Sequence, residues 1–190
     1  HLSADIKITL SFLSDMYYIN LPEDKQDSLG RDNLTVKGIM AAEVNECNEI
    51  LLTEIINDNM LDDLEIPEIC AILAIFIEGK EDDEKEKPDL NFSPKIKEVL
   101  KYTEDKNKQI SLVAFKYNLD YNDNLNYDFI KALYMWASLK DVRQVYEECG
   151  LDIYEGNFVK NVTKISNICH EISSICEITQ NNELLAKINK

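Results

Sequence analysis

The chain has 190 residues, of which 45% are hydrophobic and 29% charged, and its formal charge is −16. The apolar content suffices for the core of one or two domains. Five glycines and four prolines are too few for the turns of an all-β sandwich, and the acidic balance counts against a free-standing nucleic-acid binder.

His1 stands where a Met is expected, which reads as a processed or excised chain, and it is set aside as a tag remnant. Leu2 to Ile19 brings Ile6, Leu10, Leu13, Met16 and Tyr17 to mostly helical steps. A polar loop with Pro22 and Gly30 follows. It leads into the β-branched LTVKG, 34–38, which is expected to be a short strand. IMAAEV (39–44) and NEILLTEII (48–56) read as two short helices, with asparagines at the break suited to capping. Pro67 suits the first turn of a helix running from 67 to 79, apolar on nearly all sides and therefore buried, with Gly79 ending it.

From Glu78 to Asp89 there are seven acids and three lysines, read as a solvated loop or frayed helix end. Ser93 and Pro94 then open a helix expected to reach Leu119. A Tyr/Asn/Asp-rich link, 120–127, separates it from the apolar helix FIKALYMWAS (129–138). Val142, Val145 and Tyr146 form a short helical face that Gly150 closes. Together with the terminal segment this predicts an all-α bundle of seven to eight helices and almost no sheet.

The segment 152–190 has the clearest pattern, that of one long amphipathic helix. Phe158, Val162, Ile165, Cys169, Ile172 and Cys176 recur at steps of four and three, and Ile168 and Ile175 widen the apolar face. Lys160, Lys164, Asn167, Glu171 and Ser174 line another flank, predicted to be free. From Tyr154 onward four acids balance four lysines. The acidity therefore lies before this helix, and its polar flank is a neutral face on an acidic body.

Cys47, Cys70, Cys149, Cys169 and Cys176 are odd in number and form no C-x-x-C pair. They read as reduced core thiols of a cytoplasmic or nuclear protein. His170 is the one histidine besides His1, so no zinc set is expected. No apolar run approaches the roughly 18 residues of a membrane span, and no membrane partner is expected.

The order LTVKGIMAAEV, ILLTEII, LEIPEICAILAIFIEG, LYMWASLKDVRQV, DIYEGNFVKNVTKI and NNELLAKI resembles the C-terminal helical domain, DSHCT, of the superkiller-type, exosome-associated DExH-box RNA helicases. The resemblance covers nearly the whole chain. It implies that residues 1–33 are the end of a winged-helix domain with its linker, and that 34–190 are the helical domain. The helix over 154–179 then acts as the ratchet helix that faces RNA leaving the motor domains. By the YEG match, Lys160 and Lys164 take the places of two family arginines, and Asn167 takes that of a glutamate. Both cations keep their sign but lose the planar guanidinium fork; the acid is lost. A second family contact, a glutamate after the buried Pro-Glu helix, falls at Glu78 or Glu81. The resemblance further implies a 3′-5′ ATP-dependent RNA helicase as the parent. Its partners are single-stranded RNA, the motor domains of the same polypeptide, and the exosome or its adaptors. ATP and Mg belong to the motor domains, with no cofactor in this chain.

Plainer readings stand beside these. Without the resemblance, Lys160 and Lys164 are a solvated helix face. Tyr154, Glu155 and Gly156 are a helix-entry turn, and Glu68 is an acid favoured by the helix dipole. Tyr134 and Trp136 are core residues rather than base-stacking ones. Cys169 and His170 diverge as helix neighbours and lack a third ligand. Asn33, Asn91 and Asn161 each begin a chance match to the glycosylation pattern. No phosphate loop or DExH motor motif is present, so the chain by itself is not expected to hydrolyse ATP. The alternative to a helicase domain is a stand-alone acidic adaptor for a basic protein.

Overall fold

The computed structural model describes residues 4–21, 30–79, 89–139, 142–149 and 155–189. Among them lie nine α-helices: α1 Ala4–Asp15, α2 Val36–Ala42, α3 Glu49–Asn57, α4 Ile66–Leu73, α5 Pro94–Lys116, α6 Ile130–Leu139, α7 Val142–Cys149, α8 Glu155–Thr179 and α9 Asn182–Ile188. No strand occurs among the described residues, only an isolated antiparallel bridge between Ile19 and Leu34. The chain is all-α.

Local capping fixes most boundaries. The side-chain oxygens of Asn48, Ser93 and Asn181 accept from Leu51, Ile96 and Leu184 backbone N–H groups at 3.1, 3.3 and 3.2 Å, and so start α3, α5 and α9. Pro94 begins α5, where no N–H is required. Glu68 does more than favour a helix dipole. Its carboxylate accepts from the Glu65 N–H at 3.1 Å and from the Ser93 hydroxyl at 2.7 Å, tying the start of α4 to that of α5.

The LTVKG segment is not a strand. Thr35 Oγ1 accepts from the Gly38 N–H at 3.1 Å and opens α2 at Val36. A cap that satisfies an orphan helix donor outweighs the β-branched preference of two residues. The apolar helix expected over 67–79 ends at Leu73 and tightens into a 3-10 turn over Ala74–Phe76, with Ile77 already extended. Gly79 is therefore not its cap. α5 ends at Lys116 rather than Leu119 because Asn118 adopts φ 54, a left-handed conformation that stops the helix. The terminal segment is two helices, broken at Gln180 with φ 58. Gly150 and Tyr154 lie outside the described residues.

The core is continuous. Leu51, Leu52 and Ile55 of α3, Ile69, Ile72 and Leu73 of α4, Ile96 and Ile110 of α5, and Ala132 and Leu133 of α6 are all buried. α4 lies at the centre, packed on α5, α6 and α8, while α9 folds back on α8. The apolar face expected of α8 is the face that docks: Phe158, Ile165, Ile168, Ile172, Ile175 and Cys176 are buried, and Val162 and Cys169 are half-buried. Burial of one large aliphatic side chain contributes about 1.5–3 kcal/mol, so this face alone anchors the helix. α1 is less committed, with Phe12 buried but Ile6 46% exposed.

Charge is used inside as well. The Glu54 carboxylate is buried and accepts from the Tyr18 hydroxyl at 3.0 Å, with Lys37 Nζ at 2.7 Å and Lys106 Nζ at 4.0 Å. A buried carboxylate needs such partners to offset its lost hydration. Tyr102 donates to Asp58 beside it. Burial, reinforced by these carboxylates, pushes the Tyr18 and Tyr102 hydroxyls well above the ordinary phenol range.

Candidate nucleic-acid interface

Along the first half of α8 runs an open groove of about 750 Å³. One wall is α8 itself: Asn157, Lys160, Asn161, Thr163, Lys164 and Asn167. The rest of its lining is Glu46, Ile77, Glu78 and Phe129, contributed by three separate segments. Lys160, Lys164, Asn167 and Glu78, the four residues singled out from the sequence, thus share one concavity. Glu81 lies outside the described residues.

Lys160 and Asn167 are exposed and Lys164 is half-exposed. Spacings of four and three put them on one helix flank, and α8 is unbroken through them. The groove carries both signs of charge, since exposed Glu46 and Glu78 line it together with the lysines.

The facing segments are held by hydrogen bonds. Glu171, expected to be part of a free flank, is instead committed. Its carboxylate accepts from the Asn45 N–H at 2.8 and 3.1 Å and from the Glu46 N–H at 2.9 Å. It thereby clamps the α2–α3 link to α8 and sets where Glu46 stands. Asn126 fixes the other side. Its N–H donates to the Ile75 carbonyl at 3.0 Å, its amide to the Ile77 carbonyl at 2.9 Å, and its Oδ1 accepts from the Asp128 N–H at 3.0 Å. The segment bearing Ile77 and Glu78 is thus laced to the loop that delivers Phe129 into α6. A Cβ on Gly79 would lie 2.4 Å from the Asn126 amide nitrogen, so the glycine serves this close approach rather than a helix end.

The thiols lie apart from the groove lining. Cys169 and Cys70 share a thiol hydrogen bond, and that bond with burial pushes the Cys169 thiol up; His170, its neighbour in sequence, is exposed. The two side chains form no nucleophile–base pair. Burial also pushes the Cys47 thiol up to about 12. Among the described residues no group of three or more His, Cys, Asp or Glu side chains is placed to hold a metal ion, and no helix is long and apolar enough to cross a membrane.

Sequence reasoning missed Glu46 and Phe129 as parts of the groove, and Asn126 as its brace. Asn126 was legible only as a turn former, and Phe129 only as the start of an apolar helix. Nothing in their spacing links them to residues near 160.

Residues 31–190 match the DSHCT (NUC185) domain. Antiviral helicase SKI2 of Saccharomyces cerevisiae is 27% identical over 168 residues, covering 83% of this chain and 12% of the yeast protein. ATP-dependent RNA helicase mtr4 of Schizosaccharomyces pombe is 24% identical over 162 residues, covering 83% and 14%. Exosome RNA helicase MTR4 of Homo sapiens is 21% identical over 158 residues, covering 80% and 15%. The chain thus spans 12–15% of the length of these relatives. With a family match across five-sixths of its residues and an all-α fold, the chain belongs to the DSHCT (NUC185) domain family.

Proposed function

We propose that this chain is the C-terminal helical domain of an ATP-dependent 3′-5′ RNA helicase, and that α8 is its strand-facing helix. The domain caps the motor domains of the same polypeptide. The groove flank of α8 borders the path of single-stranded RNA, where Lys160 and Lys164 hold successive phosphates as point charges and Asn167 and Glu78 line the way. Such contacts are sequence-independent. Residues 1–33 form the end of a preceding winged-helix domain and its linker, and 34–190 the domain proper. The beginning of the family match at residue 31 supports that division. ATP and Mg act in the motor domains. The parent is cytoplasmic or nuclear, and it works with the exosome or its adaptors, as the name of the human relative, Exosome RNA helicase MTR4, suggests.

One observation carries the reading: four residues chosen from sequence, one of them some 80 positions from the rest, line a single open groove. Replacing both lysines, Lys160→Ala with Lys164→Ala, in the full-length protein is expected to lower unwinding and to flatten the salt dependence of RNA binding by up to two phosphate contacts. Unwinding and salt slope equal to the wild type reject the assignment.

The formal charge of −16 favours a second reading, an acidic adaptor that docks a basic protein. Motor motifs in the reading frame upstream of His1 decide for the helicase.

A further inference from the structure

The two sides of the groove are chemically unequal, and the difference points to how a nucleotide lies in it. A phosphate is drawn to Lys160 and Lys164 on α8 and repelled by Glu46 and Glu78, which other segments bring to the same groove. The segments other than α8 also contribute Phe129, a half-buried aromatic side chain with no charge to satisfy. A strand that sets its backbone on α8 therefore turns its bases toward Phe129.

Phe129 suits a stacking role for reasons of geometry. It is half-buried, packs against the core and lines the groove. No aromatic partner occupies it among the described ring pairs, whereas Phe12, Phe92 and Phe158 each have one. Its backbone is anchored: the Phe129 carbonyl accepts from the Leu133 N–H at 2.9 Å, and Asn126 braces the residues just before it. A platform held this way loses little freedom when a base settles on it.

We propose that Phe129 is a base-stacking platform, and that the groove is a nucleotide subsite with its phosphate side on Lys160 and Lys164 and its base side on Phe129. The ligand class is an unpaired nucleobase in a single strand. Stacking tolerates all four bases because each has a π-face. This rests on the reading of α8 as the strand-facing helix, and adds that the domain holds bases as well as backbone.

The test uses the full-length protein and fluorescently labelled single-stranded RNA of mixed sequence, beside an oligonucleotide of equal length with abasic positions throughout. Phe129→Ala removes the ring. Because Phe129 also packs on the core, Phe129→Leu keeps an apolar filler without a π-face and Phe129→Tyr keeps the face; circular dichroism checks folding. The expected result is about a tenfold loss of affinity for base-bearing RNA in the alanine and leucine variants. Affinity for the abasic strand and the salt slope stay unchanged, and Phe129→Tyr binds like wild type. The double lysine variant, by contrast, weakens both ligands and flattens the slope. Equal loss on both ligands for Phe129→Leu, or no loss on either, overturns the stacking site and leaves the backbone contact standing. Wild-type protein that binds neither strand overturns both.

Discussion

Glu171 and Asn45 are 126 residues apart in sequence, yet the carboxylate of one accepts the backbone N–H of the other at 2.8 Å. The neighbouring Glu46 N–H adds a third bond, at 2.9 Å, to the same carboxylate. A hydrogen bond to an ionised acceptor is worth about 1.5–3 kcal/mol, roughly twice a neutral one. Glu171→Ala is therefore expected to lower stability by about 2 kcal/mol in urea unfolding, and Glu171→Gln by less, since an amide oxygen still accepts one bond. Because Glu46 stands on the groove, both changes also loosen that wall. Wild-type stability in Glu171→Ala contradicts the clamp.

Gly38 lies inside α2, where alanine is ordinarily the better helix former by about 1 kcal/mol. Here a Cβ would meet the Tyr18 carbonyl oxygen at 2.1 Å. That oxygen is held in place, accepting from the Thr35 N–H at 3.1 Å, and backbone cannot swing aside as a flexible side chain does. Gly38→Ala is expected to destabilise by about 1–3 kcal/mol, the cost of overpacking, which reverses the sign that helix propensity gives. A thermal melt equal to or above wild type refutes the close approach.

The fold also sets a limit at alkaline pH. Burial raises the Cys47 thiol to about 12 and the Cys176 thiol to about 11, from 9.0. Burial likewise raises the Tyr121 hydroxyl to about 12, from 10.0. The neutral forms are favoured in the folded state, so from about pH 9 upward the unfolded chain has released protons that the folded chain still holds. Stability then falls as pH rises. Melting temperature is expected to be level from pH 7 to 8.5 and to drop steadily between pH 9 and 11. A flat profile through pH 11 rules this out.

Much of the fold was readable because its cues are local. Phe158, Ile165, Ile172 and Cys176 repeat with the period of a helix, and that period alone says which side of α8 is buried. Asn48, Ser93 and Pro94 act on donors within three or four positions, so their capping role is written in a few letters of sequence. Where reading failed, a distant group competed. Gly79 looked like a helix terminator, but α4 ends at Leu73, and the glycine instead makes room for Asn126. Glu171 looked like part of a free stripe until the α2–α3 link came to lie against it.

The candidate site divides in the same way. The lysine flank, Lys160 and Lys164, follows from spacing on one helix, and the sequence by itself determined the all-α class, the docked face of α8 and the neutral charge of that terminal segment. What faces the flank was decided only by the tertiary structure. Glu46, Glu78 and Phe129 come from three segments joined through Glu171 and Asn126. Periodicity is a property of one helix, whereas a groove depends on the relative placement of several, which side-chain packing and long-range hydrogen bonds fix only when the chain has closed.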